Sequence, residues 1–126
     1  MRSEQEMFDL ILRTAQEDDR IRAVMMNGSR ANPNAPRDLF QDYDIVYLVT
    51  EMGPFINNLA WIRRFGELMI LQLPDAMQEP PPTHHDSYAY LAKFLDGNRI
   101  DLTIYPLARL GEMARDSQSI LLLDKN

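Results

Sequence analysis

Two carboxylates one residue apart, Asp42 and Asp44, stand at the mouth of an apolar run, Ile45-Val46-Tyr47-Leu48-Val49. In a strand, side chains alternate faces, so these two acids point the same way, one pleat apart. At that spacing they repel each other and suit a dry core poorly. A hard dication removes both objections, and Mg²⁺ is typically held by one or two carboxylates, waters and substrate phosphates. An isolated Asp-x-Asp also occurs in acidic turns; its place at the head of so apolar a strand favours the metal. Upstream, Asn27-Gly28-Ser29-Arg30 follows another strand-like run. Taken alone, Gly28-Ser29 reads as a turn that ends a strand; taken with Asp42 and Asp44, it can offer backbone N–H groups and a hydroxyl to phosphates, and Arg30 is either a surface arginine or a group that neutralises a triphosphate or the departing pyrophosphate. Asp101 interrupts a second apolar alternation, between Ile100 and Leu102. Aspartate is disfavoured in strands, so it is either solvent-facing beside Thr103 or functional. If functional, it is a third metal ligand or the base on an attacking hydroxyl. His84-His85 lie in a proline-rich stretch with no ligand set nearby and read as an exposed loop.

The elements that must position these groups follow from periodicity. Ser3-Glu4-Gln5-Glu6 is a capping box, and Met7, Leu10, Ile11 and Ala15 continue it as an amphipathic helix to about Glu17, ended by Asp18-Asp19. Ile21 to Asn27 predicts a first strand. Asn32-Pro33-Asn34-Ala35-Pro36 opens a turn-rich loop, and Asp42 to Thr50 predicts a second strand. The latter carries Tyr43, Ile45, Tyr47 and Val49 on one face and Asp42, Asp44, Val46 and Leu48 on the other. Both faces turn apolar past Asp44, which implies a central strand covered on each side. A helix from Gly53-Pro54 to Gly66 buries Phe55, Ile56, Leu59, Ile62 and Phe65, with Trp61 as core filler and Arg63-Arg64 on a solvated face. Glu67 to Leu73 predicts a third strand, and Pro74 to Asp86 a loop. Ser87 to Leu95 and Arg99 to Tyr105 form a hairpin around Asp96-Gly97-Asn98. Pro106 opens a short helix, and Ile120 to Leu123 reads as a last short strand. The fold class is α+β (α/β): a mixed sheet of about five strands flanked by helices.

At 126 residues, with 45% apolar and 25% charged content, the chain is one ordinary globular domain, 1–126. It has no cysteine, which excludes disulfides and thiolate chemistry and fits a reducing cytoplasm. Its apolar runs are shorter than the roughly 18 residues a membrane span needs, so no membrane partner is expected. A formal charge of −6 argues against nucleic acid as partner. It suits either simple solubility or the steering of a cationic small molecule.

Gly28-Ser29, Asp42-Tyr43-Asp44-Ile45 and a later Asp101 between apolar neighbours resemble the pattern of polymerase-beta-type nucleotidyltransferases. The finer stretches Met26 to Asn34, Phe40 to Tyr47 and Asp96 to Thr103 resemble aminoglycoside 6-adenylyltransferases, the streptomycin-modifying enzymes, and the similarity runs from Ser3 to about Lys125. The resemblance implies a nucleotidyltransferase fold and Mg-dependent transfer of AMP from ATP to a hydroxyl of streptomycin. Asp42, Asp44 and Asp101 would be the catalytic, metal-holding triad, with two Mg²⁺ ions, and Gly28, Ser29 and Arg30 the nucleotide-binding residues. Members of that family continue into a C-terminal helical substrate domain that is absent from these 126 residues. Two other functions are therefore weighed: a nucleotide- or drug-binding fragment without catalysis, and a minimal nucleotidyltransferase that AMPylates a partner protein.

Overall fold

The computed structural model describes residues 2–27, 42–56, 58–74, 87–113 and 120–125, the side chains of 27, 42, 112 and 113 excepted. Helix α1 spans Glu4–Glu17, and its capping box is complete: Ser3 Oγ accepts from the Glu6 N–H at 3.1 Å while Glu6 Oε1 accepts from the Ser3 N–H at 3.2 Å. Its buried stripe is Met7, Ile11, Thr14 and Ala15, the i, i+4, i+7, i+8 face of an amphipathic helix. The last turn contains no basic residue of its own. Lys125 supplies the cation from far along the chain, its Nζ donating to the Ala15 carbonyl at 2.6 Å and the Asp18 carbonyl at 3.1 Å, where the helix dipole favours positive charge.

Strand β1 is Ile21–Asn27, β2 Asp42–Val49, β3 Leu68–Gln72, β4 Tyr88–Phe94, β5 Arg99–Pro106 and β6 Ile120–Asp124. They form one sheet in the order β3-β4-β5-β2-β1-β6. The expected mixed sheet is thus present, with six strands, the run from Ile120 being the edge strand beside β1. Its one parallel pair is β2 with β5, and the other neighbours are antiparallel. Alternation along β2 holds as expected. Tyr43, Ile45, Tyr47 and Val49 enter the main core with Met7, Ile11, Tyr88, Tyr90, Ile100, Leu102 and Ile104. Val46 and Leu48 join Ala23 and Met25 in a smaller cluster on the other face, against which Tyr105, Leu107 and Leu110 pack. The main core ties α1 to the sheet through a buried hydrogen bond, Tyr47 Oη donating to the Ile11 carbonyl at 2.6 Å.

The segment expected to be one helix from Gly53 to Gly66 is broken. A 3₁₀ turn at Gly53–Phe55 is followed by a short α2, Leu59–Ile62, and another 3₁₀ turn, Arg63–Phe65. The cause is Asn58, whose side chain accepts from the Trp61 N–H at 3.0 Å and starts α2 afresh as its N-cap. Phe55, Ile62 and Phe65 are buried as expected, but Leu59 is exposed and Ile56 only partly covered, since the break rotates them off the buried face. Trp61 fills the space between Phe55, Phe65, Tyr47 and Tyr90, with ring centroids 5.2 to 6.1 Å away. The Asn58 N–H donates to Tyr90 Oη at 2.9 Å, and that hydroxyl donates to the Phe55 carbonyl. Burial pushes the Tyr90 phenol up to about 12, against the opposing pull of the Asn58 N–H, so the hydroxyl stays neutral and able to donate. After β5, Leu107–Arg109 form a 3₁₀ turn and Leu110–Met113 the short helix α3.

Candidate active site

The end of β1 and the beginnings of β2 and β5 meet at one rim of the sheet. Asn27 pairs with Asp44, Asp42 with Arg99, and Asp44 with Asp101. Neighbouring strands lie about 4.8 Å apart and directly paired residues share a face, so Asp44 and Asp101 project side by side. Asp44 is exposed, and Asp101 retains 31% of its side-chain surface. Asp42 occupies the first position of β2, two residues before Asp44; its side chain lies outside the described residues. Gly28, Ser29 and Arg30, expected to cradle phosphates, also lie outside them, as do His84 and His85.

The β4–β5 hairpin sets Asp101 opposite Leu91 of β4. Asp96-Gly97-Asn98 makes the turn, with Gly97 at φ 91°, a left-handed conformation that suits glycine. The Phe94 N–H donates to the Asn98 carbonyl at 2.9 Å and the Gly97 N–H to the Phe94 carbonyl at 3.0 Å. The turn is tied to the start of the chain. Arg2 Nε donates to Asp96 Oδ2 at 2.6 Å, and the Asn98 N–H and Nδ2 donate to the same carboxylate at 3.1 and 3.0 Å. Burial raises the Asp96 pKa, but the Arg2 guanidinium and the Asn98 donors outweigh it and hold the carboxyl well below the usual carboxylate range. A turn braced in this way fixes β5 against β4, and the separate parallel register of β5 with β2 sets Asp101 beside Asp44.

Like charges paired directly across strands are destabilising. One residue named from sequence only within the strand Arg99 to Tyr105 and the stretch Asp96 to Thr103, with no role of its own, bears on this: Arg99, one pleat before Asp101 on the same face. Its Nε donates to Asp101 Oδ1 at 3.2 Å. The signal was available in the alternation of Arg99-Ile100-Asp101, which puts the two charges on one side of β5.

The carboxylate pair fits a hard dication by its chemistry: oxygen donors, two of them from the described residues, at an accessible strand mouth. Mg²⁺ needs no more protein ligands than that when a substrate brings phosphates. Among the described residues there is no group of three or more His, Cys, Asp or Glu that could hold a metal, so a full triad depends on Asp42. A hollow of about 580 Å³ lined by Arg63, Gly66, Glu67, Leu68 and Leu95 opens elsewhere, at the β3–β4 end beside the hairpin. Neither Asp44 nor Asp101 lines it. No helix among the described residues is long and apolar enough to cross a membrane.

The chain as a whole is similar to known proteins. The family model for streptomycin adenylyltransferase matches residues 1–126. The aminoglycoside 6-adenylyltransferase of Bacillus subtilis (strain 168) is 42% identical over 128 residues, covering 100% of this chain and 45% of the relative. That of Campylobacter jejuni is 45% identical, with 44% of its length covered. The crystal structure of an aminoglycoside 6-adenyltransferase from Bacillus subtilis superposes with a TM-score of 0.78 at 37% identity, over 100% of this chain and 42% of that one. The chain thus spans less than half the length of these relatives. With the family matched from end to end and the sheet superposing on a solved relative, the chain belongs to the streptomycin adenylyltransferase family.

Proposed function

We propose that this chain is the nucleotide-transfer domain, 1–126, of an aminoglycoside adenylyltransferase that moves AMP from ATP to a hydroxyl of streptomycin and so confers resistance. The observation that carries the reading is the pairing of Asp44 with Asp101 across the parallel strands β2 and β5. Relatives matched over the whole chain carry the name aminoglycoside 6-adenylyltransferase, which supports the reaction class. Asp44 and Asp101, with Asp42, would hold Mg²⁺ at the rim. Bound there, Mg²⁺ supplies charge neutralisation for the phosphates and the leaving pyrophosphate.

In the transfer, the acceptor hydroxyl oxygen forms a bond to the α-phosphorus as the bond to the pyrophosphate oxygen breaks. The hydroxyl proton passes to Asp101 if that carboxylate serves as the base, or to solvent water if it serves as the third metal ligand, and pyrophosphate leaves with the bonding electron pair. Little covalent work falls to the protein in such a step, so positioning and electrostatics supply the rate. Gly28 and Ser29 would hold the nucleotide phosphates and Arg30 the departing pyrophosphate. The net charge of −6 draws a cationic aminoglycoside toward the domain. Dependence on ATP ties the reaction to the cytoplasm, where ATP is held.

The test is Mg-dependent transfer of label from ATP to streptomycin by the protein carrying this domain. An Asp42→Asn, Asp44→Asn double variant should lose at least about 100-fold in rate. Undiminished transfer by that variant would sink the mechanism. Binding of Mg-ATP with no release of pyrophosphate would mark a binding module instead, and label appearing on protein but never on the aminoglycoside would mark a protein-modifying enzyme.

A further inference from the structure

We propose that Arg99 is a resident counter-ion of Asp101 at the carboxylate rim, paired with it when no metal is bound and competing with an incoming dication for that carboxylate. This rests on the reading of Asp44 and Asp101 as cation ligands.

Three observations carry it. Asp44 and Asp101 are direct register partners on adjacent strands, so without a compensating cation two carboxylates face one another at close range. Arg99 is on their face, and its Nε donates to Asp101 Oδ1 at 3.2 Å, with 45% of the arginine side chain still exposed. Its register partner on β2 is Asp42, so its Cα sits level with the first acid while its side chain reaches the third. Lys93 is level with Arg99 on β4, one strand further from Asp44. Arg99 therefore carries its positive charge among the acidic positions of the rim.

The position of the charge decides the sign of its effect. A guanidinium is a permanent cation, and a dication arriving at Asp101 must share or displace it. Arg99 thus stabilises the metal-free sheet and weakens metal binding at the same time. A purely structural role would act the other way, since loosening β5 would disorder Asp101 and weaken binding. For a guanidinium displaced from Asp101 to about 8 Å from the dication, in a water-like dielectric, removing its unit charge is worth roughly fivefold in affinity.

The experiment measures Mn²⁺ binding by calorimetry, and thermal midpoints with and without Mn²⁺, on the full-length protein. Arg99→Gln should bind Mn²⁺ about fivefold more tightly than the native protein, and its metal-free midpoint should fall. Arg99→Met, which keeps the stem but not the charge, should behave alike and serves if the glutamine variant does not fold. Arg99→Lys should stay within about twofold of native affinity. Equal or weaker binding by both charge-removed variants overturns the inference while leaving the adenylyl-transfer reading intact. Failure of the native protein to bind Mn²⁺ overturns both.

Discussion

Replacing Asp96 by asparagine probes the brace that holds the β4–β5 hairpin, the strand pair that carries Asp101. The Asp96 carboxylate accepts from Arg2 Nε at 2.6 Å, the Arg2 N–H at 3.3 Å, and the Asn98 N–H and Nδ2 at 3.1 and 3.0 Å. A hydrogen bond to a charged group contributes about 1.5–3 kcal/mol. The pair is partly open to solvent, with side-chain exposures of 27% and 22%, and an asparagine oxygen keeps some of the acceptor role. Asp96→Asn should therefore cost about 1–2 kcal/mol at pH 7 after discounting for screening. The pH dependence follows from the direction of the shift. Because the folded-state pKa is depressed, the stabilisation is fully present above the unfolded carboxyl pKa of about 3.9 and is lost as pH falls toward the folded value. The native protein should then lose stability relative to the variant below pH 4, by at most about 1.4 kcal/mol per pH unit, until the gap seen at pH 7 has closed. Urea denaturation at pH 7, 4 and 3 should show the gap between the two closing across that window. A gap equally wide at pH 7 and pH 3, or no gap at neutral pH, would refute the assignment of Asp96 as an ionised brace.

Other positions give independent checks. Gly66 has φ 144°, and a Cβ there would come within 2.5 Å of an Arg2 guanidinium nitrogen and 3.1 Å of the Phe94 ring; Gly66→Ala should destabilise by about 1–3 kcal/mol, seen as a thermal midpoint several degrees lower. Tyr47→Phe removes the buried bond to the Ile11 carbonyl and should cost about 1 kcal/mol in urea denaturation with little change in transfer rate. Asp101→Asn should leave the thermal midpoint within a few degrees of native while reducing AMP transfer at least about 100-fold, and comparable losses of stability and rate would assign it a structural role.

The parts of the fold written in local pattern were legible from sequence. Ser3 and Glu6 announce α1, the alternation from Asp42 onward gives β2 its two faces, and Asp96-Gly97-Asn98 announces a hairpin because a tight turn wants those residues. The break before α2 was missed because burial spacing from Phe55 to Phe65 fits one helix, and the competing signal, Asn58 as an N-cap, is a single polar side chain. The parallel pairing of β2 with β5 has no local signature, since it joins residues more than fifty positions apart and is set by packing. The same holds for the candidate site. Aspartate types and spacing singled out Asp42, Asp44 and Asp101, but their neighbourhood depends on that long-range register. The shared face of Arg99 and Asp101 is legible in their alternation on β5, but the hydrogen bond between them depends on the side-chain conformations the fold selects. The expected phosphate cradle at Gly28-Ser29-Arg30 lies outside the described residues and rests on sequence.

The central claim, that this rim grips a metal-bound nucleoside triphosphate, is tested most directly by a crystal structure with Mg²⁺ and a non-hydrolysable ATP analogue. The account predicts a metal about 2.0–2.1 Å from carboxylate oxygens of both Asp44 and Asp101, bridging to the analogue's phosphates. A nucleotide bound elsewhere, or a metal that touches neither aspartate, would contradict it.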